Sequence, residues 1–485
     1  MNYRIVSHIL GNVTALLGGF MLIPLVIAFF SAETAVVWSF LWTILISAAV
    51  SALLLLAGRH RKTLFFAKEG FITVGLSWLL VSLLGALPFY FSGAIPSFID
   101  CLFESVSGFT TTGGSILNDV ESLPGSLLFW RSFSHWIGGM GILVFVLSVV
   151  SLAGGNSTYL MRAEVPHPGN SKLAPKIKET AKVLYLIYLV LTAVLFLFLF
   201  CGGMSFFESI NHALSIAGTG GFAVKNDSMM GYSPFLQWVM TVFMLIFSIN
   251  FNVYYLLLLK RFKAALRFEE MLVYIGLVIV FVVMITAGVW QTVSDSFGES
   301  VRLAAFQVAS IFSTTGFYTA DFSQWPQICI VLLMAAMFIG GCTGSTAGGA
   351  KIMRLMVLIK SLRRDARKLI HRKAVECVEI CGKPMDEHAI KGVNSYFYIL
   401  FIVFAVSIVL IAFQNLDFTT TFSAVLSSIS NVGPGFSLVS PVENYGFLSS
   451  FSKGVLIFDM LAGRLGIFPV LLLFFPSVWH RAKNI

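Results

Sequence analysis

Long apolar runs alternate with short polar stretches along the whole chain. Each run holds about 20 or more mostly apolar residues, which is the length that a helix needs to cross a bilayer. The predicted spanning helices cover residues 5–30, 36–56, 70–91, 127–153, 182–201, 234–259, 271–290, 327–359, 392–414 and 447–476. The first run is longer than the core of a signal peptide and a second run follows at once, so both are expected to be helices of the mature protein.

Four shorter and more polar stretches lie between these runs, at 97–114, 204–221, 299–316 and 417–435. They are too short to cross a bilayer, and such segments are typical of re-entrant loops. Each ends in a related string of serine, threonine and glycine. The alignment of Gly113, Gly220, Gly316 and Gly433 gives spacings of 107, 96 and 117 residues. A helix–loop–helix unit of roughly 100 residues is therefore repeated four times.

Composition and charge support a membrane protein. Of the 485 residues, 57% are hydrophobic and 11% are charged, whereas soluble domains average about 25% charged residues. If the N-terminus is cytoplasmic, 27 of the 32 lysines and arginines face the cytoplasm, as the positive-inside rule requires. Those basic residues fall in 1–6, 58–69, 154–182, 260–270, 351–391 and 477–485. The net charge of +9 is thus explained without a nucleic-acid partner.

The same topology places six acidic residues on the outer side: Asp119, Glu121, Asp227, Asp295, Asp321 and Glu443. An acidic mouth concentrates cations, although each of these residues is equally explained as part of a solvated surface. The six cysteines show no metal-ligand spacing, and no HExxH or other paired catalytic motif occurs in the spans. We therefore expect neither an enzyme nor a bound cofactor.

The four glycine strings suit a monovalent-cation filter. A dehydrated cation needs oxygen ligands in place of its water, and rings of backbone carbonyls supply them. Glycine permits the backbone conformations that aim carbonyls at one axis, and the strings contain no carboxylate of the kind that lines acidic filters. The predicted filter residues are Thr110, Thr111, Thr112, Gly113, Gly218, Thr219, Gly220, Thr314, Thr315, Gly316, Asn431, Val432 and Gly433. Within this set, the expected ion ligands are Thr112, Gly113, Thr219, Gly220, Thr315, Gly316, Val432 and Gly433.

These motifs resemble the membrane subunits of the Trk/Ktr/HKT superfamily of potassium transporters, and the TrkH type fits best. Family members have four helix–loop–helix units with one filter glycine in each. The string Trp130-Arg131-Ser132-Phe133-Ser134-His135-Trp136-Ile137-Gly138-Gly139-Met140-Gly141 also resembles the family's sequence after the first filter. The additional helix pair within 1–57 is a feature of Trk members. The resemblance covers essentially the whole chain, and it implies an all-α membrane fold with a helix pair and four pore units about a pseudo-fourfold axis.

The resemblance also implies potassium as the transported ion and a division of the chain into five parts. Some plant relatives that favour sodium carry serine at the first filter glycine, and this chain has Gly113 there. The fourth loop, Asn431-Val432-Gly433-Pro434, departs from the Thr-Gly form and makes weaker discrimination plausible. The expected parts are a helix pair at 1–69 and pore units at 70–181, 182–270, 271–391 and 392–485.

The run 327–359 contains more glycines than a uniform helix tolerates, since each costs about 1 kcal/mol relative to alanine. The segment consists of Gly340, Gly341, Cys342, Thr343, Gly344, Ser345, Thr346, Ala347, Gly348 and Gly349. It is either a packing break or, as the resemblance implies, an intramembrane gate below the filter. The segment does not match the nucleotide-binding P-loop motif, because Ala350 rather than lysine follows Gly349. Deleting this segment should raise ion flux.

Arg464 lies inside the last apolar run. An ionised residue there costs at least about 2.5–3.5 kcal/mol, so it usually faces a wet interior and a partner. A structural ion pair, for instance with Asp459, is one interpretation. The resemblance implies the other, a positive barrier on the permeation path that limits cation flow.

The segment 351–391 is the most basic part of the chain, with Arg363, Arg364, Arg367, Lys368, Arg372 and Lys373. It is either an anchor at the anionic lipid surface or a docking site for a regulator. The resemblance implies a cytosolic TrkA-type ring of nucleotide-binding subunits, a homodimer, and a bacterial inner-membrane location with both termini cytoplasmic. A proton- or sodium-coupled transporter remains the alternative, with Asp459, Glu104 and Glu208 as the candidate carboxylates.

Overall fold

The computed structural model describes residues 2–59, 67–152, 174–371 and 376–476. The predicted basic residues Arg372 and Lys373, and most of the predicted cytoplasmic segments 154–182 and 477–485, lie outside the described residues. Helices dominate the described part of the chain, and its only strands form the antiparallel hairpin β1 (Glu379–Ile380) and β2 (Lys383–Pro384).

The first part of the chain forms α1 (Tyr3–Phe20), α2 (Leu22–Phe30), α3 (Thr34–Ala57), α4 (Ala67–Phe91), α5 (Phe98–Phe109), α6 (Gly125–Leu152), α7 (Ala174–Cys201), α8 (Phe206–Gly218), α9 (Pro234–Ser248), α10 (Phe251–Leu258) and α11 (Phe262–Leu266). The remaining helices are α12 (Glu269–Val289), α13 (Phe297–Phe312), α14 (Gln327–Ile339), α15 (Ile352–Ile370), α16 (Glu387–Ala412), α17 (Phe418–Ser430), α18 (Ser450–Leu465) and α19 (Ile467–Leu472). Short 3₁₀ turns occupy Phe322–Gln324 and Ser437–Val439.

Six helical segments of the described residues are long and apolar enough to cross a membrane: Tyr3–Phe30, Thr34–Ala57, Lys68–Phe91, Lys182–Cys201, Glu269–Val289 and Glu387–Ala412. A seventh arises if α9 and α10 count as one broken span. Many of their apolar side chains are exposed in the isolated chain; Phe30, for example, is 83% exposed. Such a surface suits lipid rather than water.

Four short helices, α5, α8, α13 and α17, occupy the predicted re-entrant stretches; we call them the pore helices. Each begins with phenylalanine directly after a serine or an aspartate, and such residues are common helix caps. The caps of α8 and α17 are made by side chains: Ser205 accepts from Glu208 N–H at 3.2 Å, and Asp417 accepts from Thr420 N–H at 2.9 Å.

The four units close into a ring. The helix that follows each pore helix packs against the pore helix of the next unit: α6 on α8, α9 on α13, and α14 on α17. The helix α18 of the last unit packs on α5 of the first. The all-helical membrane fold with four repeated pore units is thereby confirmed, whereas the exact unit boundaries stay predictions.

Two spans predicted as continuous, 234–259 and 447–476, are interrupted, and a third, 327–359, is interrupted at the glycine-rich segment where the sequence predicts a break. The run 234–259 bends by 89° between α9 and α10. The run 327–359 is divided into α14 and α15 by residues 340–351, which we call the intramembrane loop. The run 447–476 breaks at Gly466, whose φ of 74° lies in the left-handed region. Apolar composition alone does not register the break between α9 and α10, whose backbone groups bond to the intramembrane loop.

Candidate ion-conduction site

Each pore helix ends in the same way. Its last turn is followed by a residue in the left-handed conformation: Thr111, Thr219, Thr314 and Asn431 have φ values of 54°, 57°, 55° and 54°. The next N–H returns to a serine carbonyl five residues back, and this closes the helix as in a Schellman motif. These bonds join Thr112 to Ser107 at 2.9 Å, Gly220 to Ser215 at 2.9 Å, Thr315 to Ser310 at 2.8 Å and Val432 to Ser427 at 3.0 Å.

A glycine with positive φ follows two residues after each left-handed residue. These glycines are Gly113, Gly221, Gly316 and Gly433, with φ values of 81°, 82°, 86° and 99°. The predicted alignment of the second unit on Gly220 is therefore wrong by one residue. Gly220 takes the place that Thr112, Thr315 and Val432 hold in the other units, where no left-handed backbone is needed.

The four glycines form a closed contact circuit. A Cβ atom added to Gly113 would lie 1.9 Å from the carbonyl oxygen of Gly220 in the next unit. The same construction gives 2.0 Å from Gly221 to Thr315 O, 2.1 Å from Gly316 to Val432 O and 2.6 Å from Gly433 to Thr112 O. Two independent reasons require glycine at each of these positions. The backbone is left-handed, and the neighbouring carbonyl leaves no space for a Cβ atom. The structure thus brings the four predicted loops together around one axis.

The remaining predicted filter residues lie in these loops, and their side chains are buried. Thr110 and Thr112 share a hydrogen bond of 2.8 Å, and Asn431 Nδ2 donates to Thr112 Oγ1 at 2.9 Å across units. Thr219 Oγ1 bonds the carbonyl of Gly218 at 2.6 Å, and Thr315 Oγ1 pairs with Ser313 at 2.6 Å. Ion binding by these residues stays a prediction.

Three buried polar side chains of α5 and α6 support the first two loops, and the sequence analysis gave none of them this role. The Nε atom of Arg131 bonds the carboxylate of Glu104 at 2.8 Å, and its guanidinium stacks 4.0 Å from the Phe222 ring. His135 Nδ1 pairs with Gly108 O at 2.8 Å, and its Nε2 accepts from Phe222 N–H at 3.2 Å. The sequence did offer one signal for this role: Arg131 and His135 are four residues apart, which places both polar side chains on one face of an apolar helix.

The intramembrane loop lies against the inner ends of the third and fourth filter loops. The N–H of Gly348 donates to Thr314 Oγ1 at 2.7 Å. A Cβ on Gly348 would lie 2.6 Å from Ser430 O and 3.0 Å from the Cβ of Asn431. The loop therefore touches two of the four left-handed residues at which the pore helices end.

The loop also fills the break between α9 and α10. Cys342 N–H donates to Ser248 O at 3.0 Å, and Phe251 N–H donates to Gly344 O at 3.1 Å. The hydroxyl of Thr346 donates to Phe247 O at 3.1 Å. Non-helical backbone at membrane depth is tolerated when its polar groups are satisfied within the protein, and here two broken helices satisfy each other.

The other loop residues predicted as a gate lie in the same segment. Gly340, Gly344 and Gly349 have φ values of 70°, 71° and 77°, and Ser345 Oγ bonds Cys342 O at 2.6 Å. The loop is compact: Cβ atoms at Gly341 and Ala347 would be 2.6 Å apart, and Thr343 is buried. A gating role stays a prediction.

Arg464 is buried next to the intramembrane loop and bonds backbone carbonyls on two elements. Its Nη1 donates to Thr346 O in the intramembrane loop at 2.6 Å, and its Nη2 donates to Gly138 O in α6 at 3.1 Å. Asp459, the alternative ion-pair partner, accepts instead from Ser407 Oγ at 2.7 Å. Arg464 thus places a positive charge next to the loop and ties the loop to the first unit.

Polar contacts at the outer ends of the loops join the first two units. Asn226 donates to Asp119 at 2.8 Å and, from its backbone N–H, to Glu121 at 3.0 Å. Lys225 and Glu208 form an ion pair of 2.8 Å. Partial burial would raise the pKa of Glu208, but hydrogen bonds from Lys225 and Ser205 outweigh it and lower the pKa to about 2. The carboxylate is therefore ionised at neutral pH.

Comparison with known proteins agrees with this geometry. The family model described as "TrkH: Cation transport protein" matches residues 37–481. The Trk system potassium uptake protein TrkH of Salmonella typhimurium is 36% identical over 99% of this chain and 100% of its own length. TrkG of Escherichia coli, another Trk system potassium uptake protein, is 30% identical over 98% and 99%.

A solved structure shows the same fold. The crystal structure of the potassium transporter TrkH from Vibrio parahaemolyticus superposes with a TM-score of 0.90 at 30% identity, covering 99% of this chain and 100% of that one. Similarity of sequence and of structure thus extends over nearly the full length of both chains. The chain belongs to the TrkH family of cation transport proteins.

Proposed function

We propose that this chain takes up potassium through the bacterial inner membrane by channel-like conduction down the electrochemical gradient. The observation that carries the proposal is the closed circuit of four glycines, each against a carbonyl of the next unit. Such a circuit places backbone oxygens of four loops around one axis, as a dehydrated cation requires. The interior-negative membrane potential is worth about 2.3 kcal/mol per charge per 100 mV, so inward flow needs no hydrolysis in this chain.

The choice of potassium rests on the filter and on the relatives. The loops offer carbonyls and hydroxyls rather than carboxylates, which suits a monovalent ion. The TrkH and TrkG relatives are both named for potassium uptake. In the second loop the residue we now assign to the filter glycine position is Gly221.

In this proposal the intramembrane loop is the gate and Arg464 is the positive barrier below the filter. The loop touches Thr314 and Asn431, so a displacement of the loop alters the inner end of the filter. A TrkA-type nucleotide-binding ring on the cytoplasmic side would control the loop, and the chain would work as a homodimer with both termini in the cytoplasm.

The test is cation flux into liposomes that hold only the purified chain, with potassium, rubidium, sodium and lithium compared. We expect flux that favours potassium and rubidium. Gly113→Ser and Gly221→Ser should lose this preference, because each new side chain meets a backbone carbonyl of the next unit.

Gly276→Ser is the matched control. Gly276 lies in α12, and a Cβ there meets nothing within 4 Å, so this variant should keep both flux and preference. Equal preference in all three variants would contradict the filter assignment.

One observation favours the alternative, a proton-coupled potassium transporter. Asp459 is fully buried in α18, and its Oδ2 has no hydrogen-bond partner among the described residues. A carboxylate in this setting is often a proton carrier. If potassium movement is coupled to protons, a pH gradient should shift the reversal potential in the unsubstituted protein, and Asp459→Asn should abolish the shift. A reversal potential set by potassium alone would exclude coupling.

A further inference from the structure

Two neighbouring carboxylates at the start of α12 hold two different parts of the molecule. Glu269 is partly exposed, whereas Glu270 is fully buried. Consecutive helix positions point about 100° apart, so the two side chains can hold separate partners from one rigid helix end. Neither carboxylate has a part in the filter.

Glu270 holds the intramembrane loop. One of its oxygens accepts from Thr343 N–H at 2.6 Å, and the other accepts from Asn250 Nδ2 at 3.2 Å. Asn250 Oδ1 in turn accepts from Asn252 N–H at 3.0 Å and caps α10. An ionised carboxylate only accepts hydrogen bonds, so it matches both donors. One buried side chain thus fixes the loop and the break between α9 and α10 to α12.

Glu269 holds the β1–β2 hairpin. Its carboxylate forms an ion pair with Lys360 of α15 and accepts from Cys381 N–H at 2.9 Å, at the hairpin turn. Lys360 also donates to Glu379 O in β1 at 2.9 Å. The hairpin is packed as well as bonded, because Val378 and Ile380 are buried in the same apolar core as the first turns of α15.

The two attachments meet through α15. This helix directly follows the intramembrane loop in the chain, and it carries Lys360 two and a half turns later. The hairpin, α15 and the loop are therefore all held relative to the same two residues of α12.

We propose that Glu269 and Glu270 are positioning residues that couple the hairpin to the intramembrane loop, so that displacement of the hairpin releases the loop. This proposal rests on the gating function given above. It assigns the route by which an event at the basic 351–391 segment reaches the filter: through Lys360 and Glu269 to α12, and through Glu270 to Thr343.

The test measures potassium flux into liposomes from the full chain alone. Glu270→Ala removes the loop attachment, and Lys360→Met removes the ion pair with Glu269 and the bond to Glu379 O, leaving only the bond from Cys381 N–H to hold the hairpin to α12. Each should raise flux several-fold, and the double variant should not exceed the larger single effect, because both act on one link. Potassium preference over sodium should stay unchanged, which separates a released loop from a damaged filter. Glu270→Gln, which keeps the side-chain volume, replaces the alanine variant if that variant does not fold.

Two controls make the result decisive. Arg367→Gln breaks an ion pair with Glu376 on the same segment, at 3.4 Å, without touching Glu269, and should leave flux unchanged. In a chain that lacks loop residues 343–348, Glu270→Ala and Lys360→Met should have no further effect.

Different results would refute the proposed gate and the proposed link between the hairpin and the loop. If deletion of the loop raises flux but Lys360→Met does not, or if its effect simply adds to that of Glu270→Ala, the link is refuted and the gate stands. If deletion of the loop leaves flux unchanged, the gate itself is refuted, and the link with it.

Discussion

At the scale of single residues, the arrangement of the four loops in the proposed filter depends on where backbone approaches backbone. The four positive-φ glycines each face a carbonyl of the next unit, whereas the residue just before them can be threonine, glycine or valine. This explains the error of one residue in the second loop. Gly220 and Gly221 are adjacent, and the sequence does not reveal which of them has the left-handed backbone.

Arg464 provides a prediction at the same scale. Arg464→Met removes the positive charge and both bonds to Thr346 and Gly138. We expect potassium flux to increase, because the barrier and the tie that holds the loop are both lost. The measurement is flux into liposomes at a fixed potassium gradient.

Arg464→Lys separates the two effects. Lysine keeps the charge, but it lacks the planar fork that reaches two carbonyls at once. Low flux in the lysine variant would assign the barrier to charge, and high flux would assign it to the tie. Unchanged flux in the methionine variant would contradict both roles.

Several supporting residues could not be predicted because their partners are distant in sequence. Glu270 bonds Thr343, 73 residues away, and His135 bonds Phe222, 87 residues away. A buried polar residue signals that it needs a partner, but the sequence alone does not identify the partner. The glycines and Arg464 were predictable because their chemistry is unusual inside an apolar run.

At the scale of elements, the sequence indicated where helices would re-enter and that the run 327–359 would break, but it did not indicate the breaks in 234–259 and 447–476. The pore helices were visible as short polar stretches that end in glycine. The break at Ile249–Asn250 was not predicted, because the run 234–259 is apolar on average and the polar residues around the break, Ser248, Asn250 and Asn252, do not interrupt its hydropathy. The backbone N–H and C=O groups that lose their helical partners at this break bond instead to the intramembrane loop, about 90 residues further along the chain.

The capped start of α8 gives a prediction of pH dependence. Glu208 completes a capping box with Ser205 and pairs with Lys225, and its folded pKa of about 2 lies below the usual 4.5. Its contribution to stability is therefore fully present above pH 4.5 and is lost as the pH falls towards 2. In Glu208→Gln this contribution is missing at every pH. The difference in thermal midpoint between the two proteins should shrink from about pH 6 to about pH 3.

Glu443→Gln serves as the control, because Glu443 is an exposed carboxylate that the predicted topology also places on the outer side. The thermal unfolding midpoint of this variant should equal that of the unsubstituted protein at each pH. A Glu208→Gln difference that stays constant across this range would contradict the assigned pKa.

At the scale of the whole molecule, the ring closes where the end of the chain meets its beginning. The last unit contacts the first through Asn431 and Thr112 in the filter, and through Lys453 and Asp100 at 2.6 Å further out. Tyr445 N–H also donates to Ser115 O at 2.8 Å. The repeat predicted four units, and only the structure gives the contacts that join the fourth to the first.

This closure can be tested at Lys453, whose side chain is 6% exposed. Lys453→Met leaves the Asp100 carboxylate without its charged partner, and we expect a loss of about 1–3 kcal/mol in the free energy of unfolding. Thermal unfolding of the purified chain in detergent measures this as a lower midpoint. The double variant Lys453→Met/Asp100→Asn should recover part of the loss, whereas Lys391→Met, at an exposed lysine of α16, should change little. A midpoint unaffected by Lys453→Met would show that the pair does not secure the closure.

The unequal fourth loop has a consequence for how such a protein can evolve. When a pore is assembled from four identical subunits, every substitution appears in all four quarters at once. Here one gene encodes four separate quarters, and the pair Asn431 and Val432 occupies positions that are Thr-Thr in the first and third loops. A single mutation therefore changes one quarter of the ring. In the proposed filter, ion preference can then drift in small steps while the other three quarters preserve transport.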